Sequence, residues 1–188
     1  MDWIIFGLVV IWLAMVSWFD IRKSEIPHSA WVIIPIILAS AYRIWQGGWP
    51  LVLLTAFVVV VSERERISIL FQMDELGRII TWLPLLFLGA FFAVQLSPIS
   101  ALAIIGFWAA WELKWWGGAD AVSAITVCLI WPGMSFIVSF LVIHFIVVIA
   151  SGLVSMIREQ KIKLHRLPGL PILLASVLIL KVGIIFLG

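Results

Sequence analysis

Apolar runs of near-membrane length recur along this chain with only short polar breaks between them, at 3–19, 29–46, 50–62, 78–95, 99–113, 119–131, 134–156 and 169–187. A lipid-spanning helix needs about 20 apolar residues, because every backbone polar group must be satisfied inside its own segment. Runs of this kind leave little chain for anything else, and mean hydropathy is +1.23 with only 12% charged residues. A water-soluble domain of that composition would expose very large apolar patches. The expectation is an all-α, polytopic transmembrane helix bundle with six to eight membrane segments, built as a single integral-membrane domain over residues 1–188. The uncertainty in number comes from 50–62 and 119–131, which fall short of a full span.

Charge gives the orientation. Arg22, Lys23, Arg64, Arg66, Arg78, Lys114, Arg158, Lys161, Lys163 and Arg166 occupy alternate breaks, and of the 12 basic residues only Arg43 and Lys181 fall towards the other side. Lysine and arginine concentrate in cytoplasmic loops, so the breaks at 20–28, 63–77, 114–118 and 157–168 are expected inside the cell, in a multi-pass protein of the cytoplasmic (inner) membrane. Tryptophans near the ends of the runs, Trp3, Trp18, Trp31, Trp45, Trp49, Trp82, Trp115, Trp116 and Trp131, fit rings seated at the headgroup level. The run at 3–19 has no basic segment ahead of it and no small-x-small site after it, so it is expected to stay as the first helix. Residues 62–78 mix charge with Ile67, Ile69, Leu70 and Phe71, which suits either an interfacial amphipathic helix or a solvated loop. A pI near 9.0 then reflects basic loops, with no nucleic-acid partner expected. Cys128 is the single cysteine, and His28, His144 and His165 have no metal-ligand spacing, so neither disulfide nor metal site is expected.

Ten acidic residues remain to be read. Glu63, Glu65, Asp74, Glu75, Glu112 and Glu159 lie among basic loop residues, where solvated charge is the ordinary reading. Asp20 and Asp120 differ, since one ends an apolar helix and the other opens one, on the same predicted face of the membrane. After Asp20 come Ile21-Arg22-Lys23-Ser24-Glu25-Ile26-Pro27-His28, with a proline that stops the helix. Ahead of Asp120 stand Gly117-Gly118-Ala119, which fit an irregular segment beside a wet cavity, or else a helix start with the aspartate as its N-cap. Two facing carboxylates supply a hydrolytic chemistry. One, ionised, takes a proton from water while the other, protonated, polarises a carbonyl.

The segment Asp20-Ile21-Arg22 with Ile26-Pro27-His28 resembles the Asp-x-Arg-x-x-x-Ile-Pro-Asn pattern of type IV prepilin peptidases. Gly117-Gly118-Ala119-Asp120 likewise resembles the Gly-x-Gly-Asp segment of that family, which includes archaeal preflagellin peptidases, and Pro168-Gly169-Leu170-Pro171 resembles a Pro-x-x-Pro pattern near its C-terminus. The resemblance implies an intramembrane aspartic endopeptidase with Asp20 and Asp120 as the catalytic pair, Gly117, Gly118 and Ala119 as the active-site loop, and Arg22, Pro27, His28, Pro168 and Pro171 as positioning residues. Its substrate would be the basic leader of a prepilin-like or preflagellin-like precursor, cut at the cytoplasmic membrane face without a cofactor. Ala119, Val122 and His28 depart from the pattern, the second by removing a lysine, with Arg22, Lys23 or Lys114 as candidate replacements for its charge. With no room for a methylating domain, no methyltransferase activity is expected. Two other readings use the same residues differently: a non-catalytic relative acting in pilus or secretion assembly, and a transporter subunit with the aspartates as ion or proton sites.

Overall fold

The computed structural model describes residues 3–23, 29–62, 75–159 and 169–187, and these are helical but for short connections. Among the described residues eight α-helices follow one another: α1 (Trp3–Lys23), α2 (Ile34–Trp45), α3 (Trp49–Ser62), α4 (Glu75–Leu96), α5 (Pro98–Glu112), α6 (Gly118–Ile130), α7 (Met134–Glu159) and α8 (Gly169–Leu187). A π-helical turn, Ser29–Ile33, leads into α2. Among the described residues two stretches, Trp3–Arg22 and Met134–Val154, are long and apolar enough to cross a membrane on their own, whereas α2, α3, α5 and α6 are shorter, at 12, 14, 15 and 13 residues. The reason lies in the breaks. Gly47-Gly48, Pro98, Gly117 and Pro132 interrupt the hydrophobic sequence before a full span accumulates. At 13 residues α6 extends roughly 20 Å, against about 30 Å of bilayer hydrocarbon.

Side-chain contacts fix the directions of the helices. Lys181, late in α8, places its ammonium 3.8 Å from the ring centre of Trp3 at the start of α1, so these two helices run antiparallel. Phe6 of α1 also meets Trp131, just past the end of α6, at 6.3 Å between ring centres. Trp49 at the start of α3 meets Phe92 near the end of α4 at 6.1 Å, and Phe19 near the end of α1 meets Trp31 ahead of α2 at 5.5 Å. Successive helices therefore alternate in direction. One end of the bundle carries the C-terminus of α1 and the N-termini of α6 and α8. Arg22, Lys23, Arg78, Lys114 and Arg158 gather at that end by their positions in the helices, while Arg43 and Lys181 stand towards the other.

The core is centred on α6, where Ala121 to Leu129 are all buried. Its small and β-branched residues let α2, α5 and α8 approach closely. A similar close approach joins α3 to α4 at Gly89, where any Cβ would overlap the ring of Phe57. Proline explains one long-range bond. Pro35 offers no N–H to the carbonyl of Trp31 four residues earlier. Trp12 of α1 donates its indole N–H to that oxygen at 2.8 Å, tying α1 to the π-helical turn.

Two helices end in the same hydrogen-bonded motif with different residues at its left-handed position. After α2, Gly47 has φ 78°, and Gly48 N–H reaches the Arg43 carbonyl at 2.9 Å. After α5, Lys114 takes φ 59°, Trp115 N–H reaches the Ala110 carbonyl and Lys114 N–H the Trp111 carbonyl, both at 2.9 Å. Glycine adopts that conformation freely, whereas a side chain costs roughly 1–2 kcal/mol. The strained turn leads directly into Gly117-Gly118-Ala119-Asp120.

Candidate active site

Asp20 lies in the last turn of α1, half-buried, with its Oδ2 atom shut away from solvent. Asp120 is the third residue of α6, also half-buried. Gly117 holds the N-cap position, with φ −70° and ψ 148°, and no side chain caps the helix. Of the two sequence readings, the helix start is the one seen, with Gly117 at its cap. Asp120 is not the N-cap, and the glycines before it occupy ordinary backbone conformations. Gly118 matters for space, since a Cβ there would come 3.0 Å from the indole nitrogen of Trp111.

The carboxylate of Asp120 is seated on another helix. A Cβ at Gly169, the first residue of α8, would come 2.5 Å from its Cγ and 2.6 Å from each oxygen, so only glycine leaves room for it. Asp120 thus faces the N-terminal end of α8 as well as standing in the first turn of its own helix. Unsatisfied amides give each such end a partial positive charge, and two of them converge on one carboxylate. Asp20 has the opposite setting, in the C-terminal turn of α1, where the helix field disfavours a negative charge.

Packing brings the two to one end of the bundle. Helix α8 packs along α1 and also meets α6. From the level of Lys181, Gly169 lies roughly 18 Å along α8, and from Trp3, Asp20 lies roughly 26 Å along the antiparallel α1, by the rise of 1.5 Å per residue. Asp20 therefore stands about one to two helical turns beyond the level of Gly169 by that reckoning.

The other residues singled out from sequence fall differently. Arg22 is exposed and lays its guanidinium over Trp18, 4.1 Å from the ring centre, on the outer face of α1. Pro171 sits in the first turn of α8, a position that tolerates its missing N–H. Ala119 is half-buried beside Asp120, and Val122 is buried within the core. Pro27, His28, Pro168, His165 and residues 63–74 lie outside the described residues. Among the described residues no three histidine, cysteine, aspartate or glutamate side chains come together as a metal would require.

Sequence reasoning missed Gly169 as a site residue, although it stands between the two prolines that drew attention. It also did not connect Trp116 to His144. Trp116 stacks on Phe107 at 5.3 Å and meets the His144 ring edge-on at 5.0 Å, so the turn ahead of Asp120 rests on α5 and α7. His144 is buried, with Nδ1 3.1 Å from Ser176 Oγ of α8. Ser176 directs its own hydrogen to the Ile172 carbonyl at 2.7 Å, so His144 Nδ1 is the donor of the pair. Its Nε2 has no hydrogen-bond partner among the described residues, and its ring lies 5.7 Å from that of Phe140 between centres.

Neither a protein-family model, nor a curated protein, nor a solved structure matches this chain.

Proposed function

We propose that this chain is a multi-pass protein of the cytoplasmic membrane and an intramembrane aspartic endopeptidase of the prepilin or preflagellin peptidase type. The membrane reading is supported by the outer faces of the helices, where Ile4, Phe87 and Phe145 are 74%, 67% and 66% exposed among many other apolar side chains. Such a surface suits lipid and would aggregate in water. The alternation of helix direction and the gathering of lysine and arginine at one end support six to eight segments, with the shorter helices crossing a thinned bilayer or tilting against their neighbours.

The observation that carries the catalytic reading is the pair of sequence-distant aspartates at one end of the bundle, in opposite helix fields. Asp120, at two helix N-termini, is the carboxylate that takes a proton from water. Asp20, at a helix C-terminus with one oxygen closed off, is the acid that protonates the carbonyl oxygen of the scissile peptide. Water oxygen bonds to the carbonyl carbon, giving a tetrahedral diol. The proton held by Asp120 then passes to the departing amine as the C–N bond breaks, and Asp20 recovers its proton from the collapsing diol. A precursor anchored by its own apolar helix would present its basic leader to this end, where the half-buried Glu112 also stands.

Cleavage of a membrane-inserted prepilin-type precursor by wild-type protein, Asp20→Asn and Asp120→Asn tests the reading. Wild type is expected to cut, and each variant, still folded, to lose about 100-fold or more, the usual worth of a general acid or base. A folded wild type that never cuts, or a variant that cuts normally, would leave the assembly and transporter readings ahead.

A further inference from the structure

Arg43 and Lys181 stand at the end of the bundle away from the aspartates, and each is held in its own way. Lys181 is 6% exposed, with its ammonium over Trp3 and 5.3 Å from the ring centre of Phe6, so aromatic faces meet its charge. Arg43 has no such cover. Its Nη1 donates to Gln46 Oε1 at 2.8 Å, a neutral acceptor, and its Nε is buried without a hydrogen bond among the described residues. Gln46 in turn donates its amide to the Tyr42 hydroxyl. The guanidinium stem lies so close to Gly48 that any Cβ there would overlap it, so the turn after α2 holds the cation in place.

Beside this cation opens a cavity of about 540 Å³ between the ends of α2, α6, α7 and α8. Arg43, Tyr42, Gln46, Ser135 and Ser139 supply its polar lining, with Phe136 on the apolar wall. No carboxylate is among the lining residues described. Guanidinium stays charged at any ordinary pH, and its planar fork of N–H donors matches the oxygens of a phosphate. An amide dipole offsets that charge only in part, so the cavity is complementary to an anion.

We infer that this cavity binds the phosphate of an anionic phospholipid headgroup, paired with Arg43 and flanked by the hydroxyls of Ser135 and Ser139. The lipid as occupant rests on the membrane reading above. A position at the end of the bundle, with apolar wall continuing from Phe136 and Leu180, suits a headgroup attached to acyl chains. It also accounts for a cation on the side where the positive-inside pattern leaves few.

Native mass spectrometry of delipidated wild type, Arg43→Gln and Arg43→Lys, titrated with phosphatidylglycerol, phosphatidylcholine or inorganic phosphate, tests the site. Wild type should prefer phosphatidylglycerol, and Arg43→Gln should weaken it about tenfold, the order expected for lost charge-assisted hydrogen bonds. Arg43→Lys, keeping charge without the fork, should recover part of the loss. Unchanged phosphatidylglycerol binding in Arg43→Gln, or equal binding of phosphatidylcholine by wild type, overturns the proposal. Inorganic phosphate that displaces the lipid at equal concentration overturns the lipid and leaves a small-anion site. Carbonate extraction is read alongside: a chain that leaves the membrane refutes the embedding, whereas an embedded chain indifferent to Arg43 refutes the site alone. Matching thermal unfolding of the three proteins separates lost binding from lost fold.

Discussion

One absent methyl group shapes the seat of Asp120. Gly169 touches the carboxylate so closely that alanine would intrude on all three of its outer atoms. Because no unusual backbone angle is required of this glycine, the cost of Gly169→Ala is steric and local. The proposed activity should fall about tenfold or more, the scale of a displacement of a catalytic group by an ångström or so, while the thermal midpoint moves little. A cleavage assay beside a melting curve checks it, and full activity in a folded Gly169→Ala protein would detach α8 from the chemistry. Asp20 and Asp120 stood out in the sequence because a carboxylate at the edge of an apolar run is costly unless it is paired, hydrated or functional. Gly169 was not, since its significance comes from a neighbour that the chain reaches only through tertiary packing.

The helices themselves were legible because long apolar runs broken by glycine, proline and charge are a matter of local composition, and those runs end within a few residues of α1 to α8. What escaped was their termination and pairing. Lys114 occupies a left-handed position that glycine fills after α2, and nothing in the sequence marks a lysine for it. Likewise, Pro35 announces a helix start, but not that the carbonyl it frees will be taken by Trp12 from another helix. Substituting Trp12→Phe keeps much of the ring volume and removes the donor. The prediction is a loss of about 1 kcal/mol in stability, the usual net worth of a hydrogen bond, with little change in helix content by circular dichroism. An unaltered unfolding midpoint would mean that the Trp31 carbonyl finds another donor.

At the scale of the molecule, the two ends differ in charge and in the chemistry proposed for them. The proposed orientation makes a direct prediction about exposed residues at each end. Trp115 is 77% exposed beside the aspartates, and Trp45 is 84% exposed at the end of α2. In sealed membranes Trp115→Cys should react with an impermeant thiol reagent only from the cytoplasmic face, and Trp45→Cys only from the opposite one. Labelling of both from one face would remove the alternating arrangement of spans, and a reversed pattern would put the aspartates outside the cell.

Such measurements need a quiet background, and the chain provides one in Cys128. Its thiol is wholly enclosed by the central helix and its neighbours, and it is the sole cysteine in the sequence. A spin label or fluorophore attached to an introduced cysteine at the end of α1 or before α6 would therefore report alone, with the native residue left in the core it helps to fill. Paired labels there would record, in a lipid bilayer and as substrate is added, whether the two carboxylate-bearing helix ends keep their separation or draw together.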